Sequence, residues 1–171
     1  MRLRRWLEAD ARWSQRCRVA ERPGGLRSLA AVLAHSGDSW FWAAGLGLVW
    51  WCGDPGWRLW AGRTFLAVAA LAAVVLVVKF GVRRRRPEGE WGAIYRNTDP
   101  HSFPSGHAAR AILLAVLAAA WGPPWLAISL VVWAPLVALS RVAMGLHYLS
   151  DVLAGAALGL IAGSLALIIA P

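Results

Sequence analysis

A chain of 171 residues that is 58% hydrophobic and only 16% charged, with a mean hydropathy of +0.51, is too apolar for an ordinary soluble domain and reads as a membrane protein. The net charge of +9 could suit nucleic acid, but the basic residues stand in blocks beside apolar runs of membrane-spanning length. That pattern argues against a nucleic-acid partner and for anionic lipid or a phosphorylated substrate. Cys17 and Cys52 show neither CxxC nor metal-ligand spacing, so neither a disulfide framework nor a zinc ribbon is indicated.

In residues 2–22 the apolar side chains Leu3, Trp6, Leu7, Ala11, Trp13 and Val19 alternate loosely with Arg2, Arg4, Arg5, Arg12, Arg16, Arg18 and Arg22. The pattern predicts a basic amphipathic helix on an anionic membrane surface, with a solvated tail as the alternative. Glu8, Asp10 and Glu21 stand where the apolar core of a signal peptide would lie, so the segment is expected to stay on the mature chain. Pro23-Gly24-Gly25 punctuates it. A short apolar piece, 26–34, then ends at the polar cluster His35-Ser36-Gly37-Asp38-Ser39, which looks like a helix cap.

The first span is expected from Asp38 or Ser39 to Cys52, with Trp40, Trp42, Trp50 and Trp51 near its ends as an aromatic belt. It is short for a core about 30 Å thick unless the 26–34 piece inserts as well. After a turn at 53–56, the second span covers about 60–82 and ends in Lys79 and the arginines 83–86, followed by Pro87. A polar loop, 88–103, follows. The third span opens at Pro104 and runs to Trp121, where Gly122-Pro123-Pro124 forces a turn. The fourth, 125–144, carries Pro135 as an expected kink, and the fifth, 152–170, carries Gly155, Gly159 and Gly163 as a stripe for close helix contact.

The expected architecture is therefore all-α: an integral membrane bundle of about five transmembrane helices (26–171) with an N-terminal interfacial amphipathic helix (1–25). If spans two and three turn around 83–103 and spans four and five around 145–151, both loops share one membrane face. The N-terminal arginines, 83–86 and Arg96 would lie there, with Arg58 and Arg63 nearly alone opposite. The positive-inside rule makes that face cytoplasmic.

Three polar clusters meet on that face. Lys79 is the single lysine, and with Arg86 it offers a point charge and a planar fork for a phosphate; Arg83, Arg84 and Arg85 read more simply as a stop-transfer flank. In Phe103-Pro104-Ser105-Gly106-His107, Ser105 can cap a helix and Gly106 lets a ligand approach backbone amides. A plain helix start with a satisfied histidine would look the same. In 140–151, Arg141 precedes His147 by six residues, about 240° around an ideal helix, so an unbroken helix would separate them; Gly145 is a place to bend. His147 and Asp151, four apart, would lie on one helical face, so that the carboxylate orients the ring. Alone, this stretch could equally be a helix end with a satisfied histidine.

Lys79 with Arg86-Pro87, then Pro104-Ser105-Gly106-His107, then Ser140-Arg141 with His147 and Asp151, resemble in order and spacing the three-part signature of the type 2 phosphatidic acid phosphatase superfamily. The resemblance covers residues 79–151 and implies a phosphatase that works through a phosphohistidine without metal or other cofactor. By it His147 attacks phosphorus, Asp151 holds its ring, and His107 protonates the leaving oxygen. Lys79, Arg86, Ser105, Gly106 and Arg141 would bind the phosphate oxygens. Pro104, Ser140, Arg110 and His101 are candidates to support these groups. Arg110, on the same helical face as His107, is expected to pair with substrate or Asp99, and Asp99 and His101 to line the entrance or lie solvated in the loop. Asp38 reads as a helix cap.

The expected partners are a lipid phosphate substrate and membrane lipids; the oligomeric state is not legible. Soluble vanadate haloperoxidases of the same superfamily are disfavoured by the apolar spans. A metal site of His101, His107, His147 and Asp151 is disfavoured by three adjacent cations. A non-enzymatic membrane scaffold or transporter subunit is the rival outside enzymology.

Overall fold

The computed structural model describes residues 2–89, 91 and 99–170, so Arg96 lies outside the described residues. The described residues form helices α1 (Arg2–Arg16), α2 (Gly25–Ser36), α3 (Ser39–Cys52), α4 (Pro55–Val82), α5 (Gly106–Trp121), α6 (Pro124–Ala143) and α7 (Leu149–Ile169). Their only extended pairing is an isolated bridge between Arg85 and His101. The helix starts carry the expected signals. Asp54 accepts from the Trp57 amide at 3.0 Å before α4, Ser105 caps α5, and prolines occupy the first turns of α4 and α6. Pro135 lies within α6 without ending it.

By length and composition α4, α6 and α7 can each cross a bilayer. Helix α5 is shorter, about 24 Å by the rise per residue, and it is the buried centre of the bundle. Leu113, Leu114 and Leu117 are wholly buried against neighbours from α4, α6 and α7. The outward faces are apolar: Leu66 and Val77 of α4, Ile128 and Val132 of α6, and Ile161 and Leu165 of α7 are all exposed. Such a surface is stable against hydrocarbon and not against water. The glycine stripe of α7 faces α5. A Cβ at Gly155 would collide with the Ser105 carbonyl oxygen and one at Gly159 with that of Ala109, while one at Gly163 would sit 2.7 Å from Val116 Cγ1.

A further helix precedes the expected first span at Ser39–Cys52. Residues 25–36 form α2, whose Ala30 and Ala34 pack with Met144 and Leu146. The indole of Trp133, within α6, donates to Ser36 Oγ at 2.9 Å, and that of Trp42 to the Ser36 carbonyl at 3.0 Å. Helices α2 and α3 thus meet at a break at Gly37-Asp38, held by both indoles. At the break a Cβ on Gly37 would press on Val137 Cγ1 at 3.0 Å and on the His107 ring at 3.2 Å.

Helix α1 exposes Trp6 and Trp13 and buries Ser14 against the start of α7. The connection that follows is also packed: Ala20 is fully buried and its amide donates to the Ala143 carbonyl at 3.0 Å.

Candidate active site

The ends of α4 and α6, the starts of α5 and α7 and the α2–α3 break converge on one end of the bundle. Helix α6 stops at Ala143, and Gly145 takes a left-handed φ of +68°. The amides of Leu146 and His147 fold back onto the Arg141 carbonyl at 3.0 and 3.2 Å. This reversal brings His147 beside Arg141, which an unbroken helix would have prevented. Arg141 and Asp151 are 0% exposed and His147 2%.

The His147 ring is oriented by an unexpected partner. Its Nδ1 lies 2.8 Å from the Ser102 carbonyl oxygen, and because a carbonyl only accepts, the proton sits on Nδ1. Nε2 therefore keeps its lone pair, which accepts from Arg86 Nη1 at 3.1 Å. Asp151 does not share a helical face with His147, because α7 begins only at Leu149. Its Oδ2 accepts from the Tyr148 amide at 2.9 Å, capping α7, and stands 3.7 Å from His147 Nδ1, near enough for charge but too far for a hydrogen bond. Burial, then the cations Arg86, Arg141 and Lys79, hold the imidazole pKa well below its ordinary value, so the neutral form is the resting one.

Lys79, in the last turn of α4, and Arg86 are both buried, and both grip Asp99. The Asp99 carboxylate accepts from Lys79 Nζ and, at 2.7 Å, from Arg86 Nη2, while its carbonyl accepts from Arg86 Nε at 2.7 Å. Burial works against this charge, but hydrogen bonding and attraction from Lys79, with Arg86, keep the Asp99 pKa below the usual carboxylate value. A carboxylate thus occupies part of the cluster expected to hold phosphate.

Ser105 accepts from the Ala108 amide at 3.4 Å, and its own amide donates to the Asp151 carbonyl at 2.9 Å, tying the second motif to the third. A Cβ on Gly106 would meet only Val75 Cγ1, at an ordinary 3.5 Å. His107 Nε2 lies 2.7 Å from Asp38 Oδ1, whose other oxygen lies 3.2 Å from His35 Nδ1. Asp38 precedes α3 but does not cap it with its side chain. Arg110 does not reach Asp99 either. It donates from Nε at 3.0 Å and from Nη2 to the Gly37 carbonyl, and from Nη1 to Ser39 Oγ at 2.7 Å, filling the acceptors of the α2–α3 break.

Of the remaining candidates, Ser140 donates back to the Val137 carbonyl at 2.7 Å, Pro104 is fully buried, and the His101 ring stands edge-on to Phe80 at 5.6 Å. Arg83 and Arg85 are exposed, as a stop-transfer flank requires, but Arg84 is not one of them. Its Nη1 donates to Asp151 Oδ1 and Ser150 Oγ, both at 2.7 Å, and its guanidinium lies 4.0 Å over the Tyr148 ring. The four residues of the conceivable metal site are spread over different partners, and among the described residues no group of three ligand types converges.

Beside His107 a cavity of ≈ 210 Å³ has Lys79, Asp99, Gly106, His107 and Arg110 at its polar end and Leu71, Ala72, Val75 and Leu76 of α4 along its apolar wall. Two larger clefts, ≈ 470 and ≈ 530 Å³, lie away from these groups and are lined almost wholly by apolar side chains.

Fold and site together define an integral membrane protein with a buried, cation-rich histidine site of the kind that handles phosphoryl groups. The sequence profile of the PAP2 superfamily matches residues 60–171, and the chain belongs to that superfamily. It is 36% identical over 156 residues to decaprenylphosphoryl-5-phosphoribose phosphatase of Mycobacterium tuberculosis, covering 86% of this chain and 81% of that protein. The phosphatase of the same name from Mycolicibacterium smegmatis is 38% identical over 146 residues, covering 80% of this chain and 74% of its own. Among solved structures, the transmembrane PAP2 type phosphatidylglycerolphosphate phosphatase of Bacillus subtilis superposes with a TM-score of 0.77 at 25% identity, over 95% of this chain and 85% of that one. Like these relatives, the chain is a membrane lipid phosphatase.

Proposed function

We propose that the chain hydrolyses a prenyl-linked sugar phosphate, or a lipid phosphomonoester or pyrophosphate of similar shape, through a phosphohistidine on His147. One observation carries the reading: Ser102 fixes the proton on Nδ1, so the Nε2 lone pair points at Arg86 within the cation cluster. The prenyl-linked sugar phosphate is favoured because the two mycobacterial relatives are named for such a substrate and align over most of their length.

In this mechanism the substrate phosphate displaces Asp99 from Lys79 and Arg86, and Arg141, Ser105 and the Gly106 amide complete its binding. Nε2 attacks phosphorus, the bond from phosphorus to the lipid oxygen breaks, and that oxygen takes a proton from His107. Asp38 holds the Nε2–H of His107, so the nitrogen that gives up the proton is Nδ1. The His147 ring becomes cationic as the bond forms, and the Ser102 carbonyl and nearby Asp151 carboxylate offset that charge. Water then attacks phosphorus and gives its proton to His107; the P–N electron pair returns to Nε2 and phosphate leaves.

The apolar wall of the cavity along α4 suits a lipid chain reaching the site sideways between helices. Clustering of the N-terminal arginines and residues 83–86 at the site end favours a cytoplasmic active site in a multi-pass protein, with α1 lying at the interface. A divalent metal would sit against Lys79, Arg86 and Arg141, so hydrolysis is expected to persist in EDTA; its loss there would favour a metal hydrolase. The decisive assay is phosphate release by the purified protein from prenyl-linked ribose phosphate, polyprenyl diphosphate, phosphatidic acid and phosphatidylglycerol phosphate. His147→Ala is the control. Release from none of them would overturn the reading.

A further inference from the structure

Helix α1 lies outside the matched family region of residues 60–171, yet its inner face reaches the catalytic end of the bundle. Ser14 Oγ accepts from the Leu149 amide at 2.8 Å and Asp10 Oδ1 from the Ser150 amide at 3.1 Å. These are two of the unpaired donors at the start of α7, so α1 caps the helix that carries Asp151. Asp10 does more than cap. Its Oδ2 accepts from Arg84 Nη2 at 2.7 Å, and the other terminal nitrogen of that guanidinium donates to Asp151 Oδ1 at 2.7 Å. The planar fork of Arg84 therefore joins the two carboxylates rigidly, with Tyr148 stacked on its face.

The chain of contacts is largely shielded: side-chain exposures are 14% for Asp10, 16% for Arg84 and 0% for Asp151. Burial opposes the Asp10 charge, but hydrogen bonds from Ser150 and Arg84 hold its pKa below the usual value, so it is an anion at neutral pH. Without it, Arg84 would press its full charge on Asp151, the carboxylate nearest His147.

We infer that Asp10 of the N-terminal helix is a positioning residue of the phosphatase site, acting through Arg84 to set the place and charge of Asp151 beside His147. The inference rests on the proposed phosphohistidine mechanism. It makes α1 part of the enzyme, where a basic tail would serve only to attach it to the membrane. It also accounts for an aspartate in a segment otherwise dominated by arginine.

The test uses the full chain in detergent micelles, with phosphate release from prenyl-linked ribose phosphate, polyprenyl diphosphate, phosphatidic acid and phosphatidylglycerol phosphate and with thermal unfolding measured on each variant. Asp10→Asn keeps a hydrogen-bond acceptor and removes the charge. Its kcat is expected to fall about 10- to 100-fold, the scale of small misplacements in a preorganised site, with KM within about threefold of the native value. Ser14→Ala, which loses a cap but leaves the ion chain intact, is the measure of a merely structural role. Equal kcat losses in Asp10→Asn and Ser14→Ala at matched unfolding temperatures would show that α1 is only a brace and overturn the inference. Arg84→Gln and the double variant supply a second reading. If Asp10 acts through Arg84, the double variant is no slower than Arg84→Gln, whereas multiplicative losses refute the link. A native protein inactive on all four lipids would defeat the phosphatase mechanism itself. An active native enzyme with an unaffected Asp10→Asn would defeat this inference alone.

Discussion

Replacing Gly155 by alanine tests whether the contact between α5 and α7 sets the geometry of the site. A methyl there collides with the Ser105 carbonyl oxygen and would also stand 3.2 Å from its carbon and 3.3 Å from the Ala108 Cβ. The obstacle is backbone, so no rotamer change relieves it, and restoring ordinary van der Waals distance requires the helices to part by about 1 Å. The Ser105 amide bond to the Asp151 carbonyl, 2.9 Å long, spans the same contact and would be lost or badly stretched. Overpacking of this kind costs about 1–3 kcal/mol and the hydrogen bond about 1 kcal/mol more. Since Ser105 and Asp151 belong to different motifs, the same shift would separate the proposed phosphate-binding groups from the proposed nucleophile, and a ~1 Å error is worth on the order of a 100-fold loss in rate. The assay is kcat/KM for phosphate release in micelles beside a thermal unfolding curve. Gly163→Ala is the comparison, because its methyl meets only the Val116 side chain, at 2.7 Å, and is expected to leave activity within about threefold. A folded Gly155→Ala enzyme with native kcat/KM would refute the reasoning.

Asp38→Asn should lower kcat about 100-fold with little change in KM, the ordinary scale of a disabled general acid, and steady-state kinetics would reveal it. The depressed pKa of His147 keeps its nucleophilic form at acid pH, so the acid limb of kcat/KM should lie below about 6.5. Lys79→Gln removes one of the depressing cations and should move that limb upward. The sign for stability follows: between the native pKa and about 6.5 the unfolded chain binds more protons at this histidine, so the fold loses stability as pH falls through that window, readable as unfolding temperature against pH. Arg110→Met leaves the Gly37 carbonyl and Ser39 without their buried donor and should cost about 2–3 kcal/mol in chemical unfolding.

The helices were legible because apolar length and proline-glycine turns are local signals, and so was the reversal at Gly145, since Arg141 and His147 cannot meet on one unbroken helix. The motif residues were legible as types at fixed spacing. Their partners were not. Asp38 lies 69 residues from His107, Asp99 is 20 residues from Lys79, and Asp10 is 74 from Arg84, distances over which only the folded bundle creates a contact. The group that fixes the His147 tautomer is a backbone carbonyl, which every residue possesses, so no side-chain pattern could announce it. Arg84 was hidden in a run of four arginines, where composition suggests a membrane flank for all alike. The break at Gly37-Asp38 did leave a trace, the polar cluster 35–39 between two apolar pieces, and its meaning depended on knowing that both pieces pack on α6.

The carboxylate of Asp99 lying across Lys79 and Arg86 has a consequence for an enzyme bathed in its own solvent of phospholipid. Nearly every headgroup drifting past the site carries a phosphodiester with a single negative charge, no greater than that of the resident aspartate. Such a lipid gains little by expelling a carboxylate already well seated, whereas a phosphomonoester brings a second charge to the exchange. Asp99 would then act as a threshold that lets a rare substrate be picked out of a vast excess of look-alikes. The corresponding measurement is inhibition by phosphatidylglycerol in mixed micelles, expected to be weak for the native enzyme and strong for Asp99→Asn; equal inhibition of the two would remove the threshold.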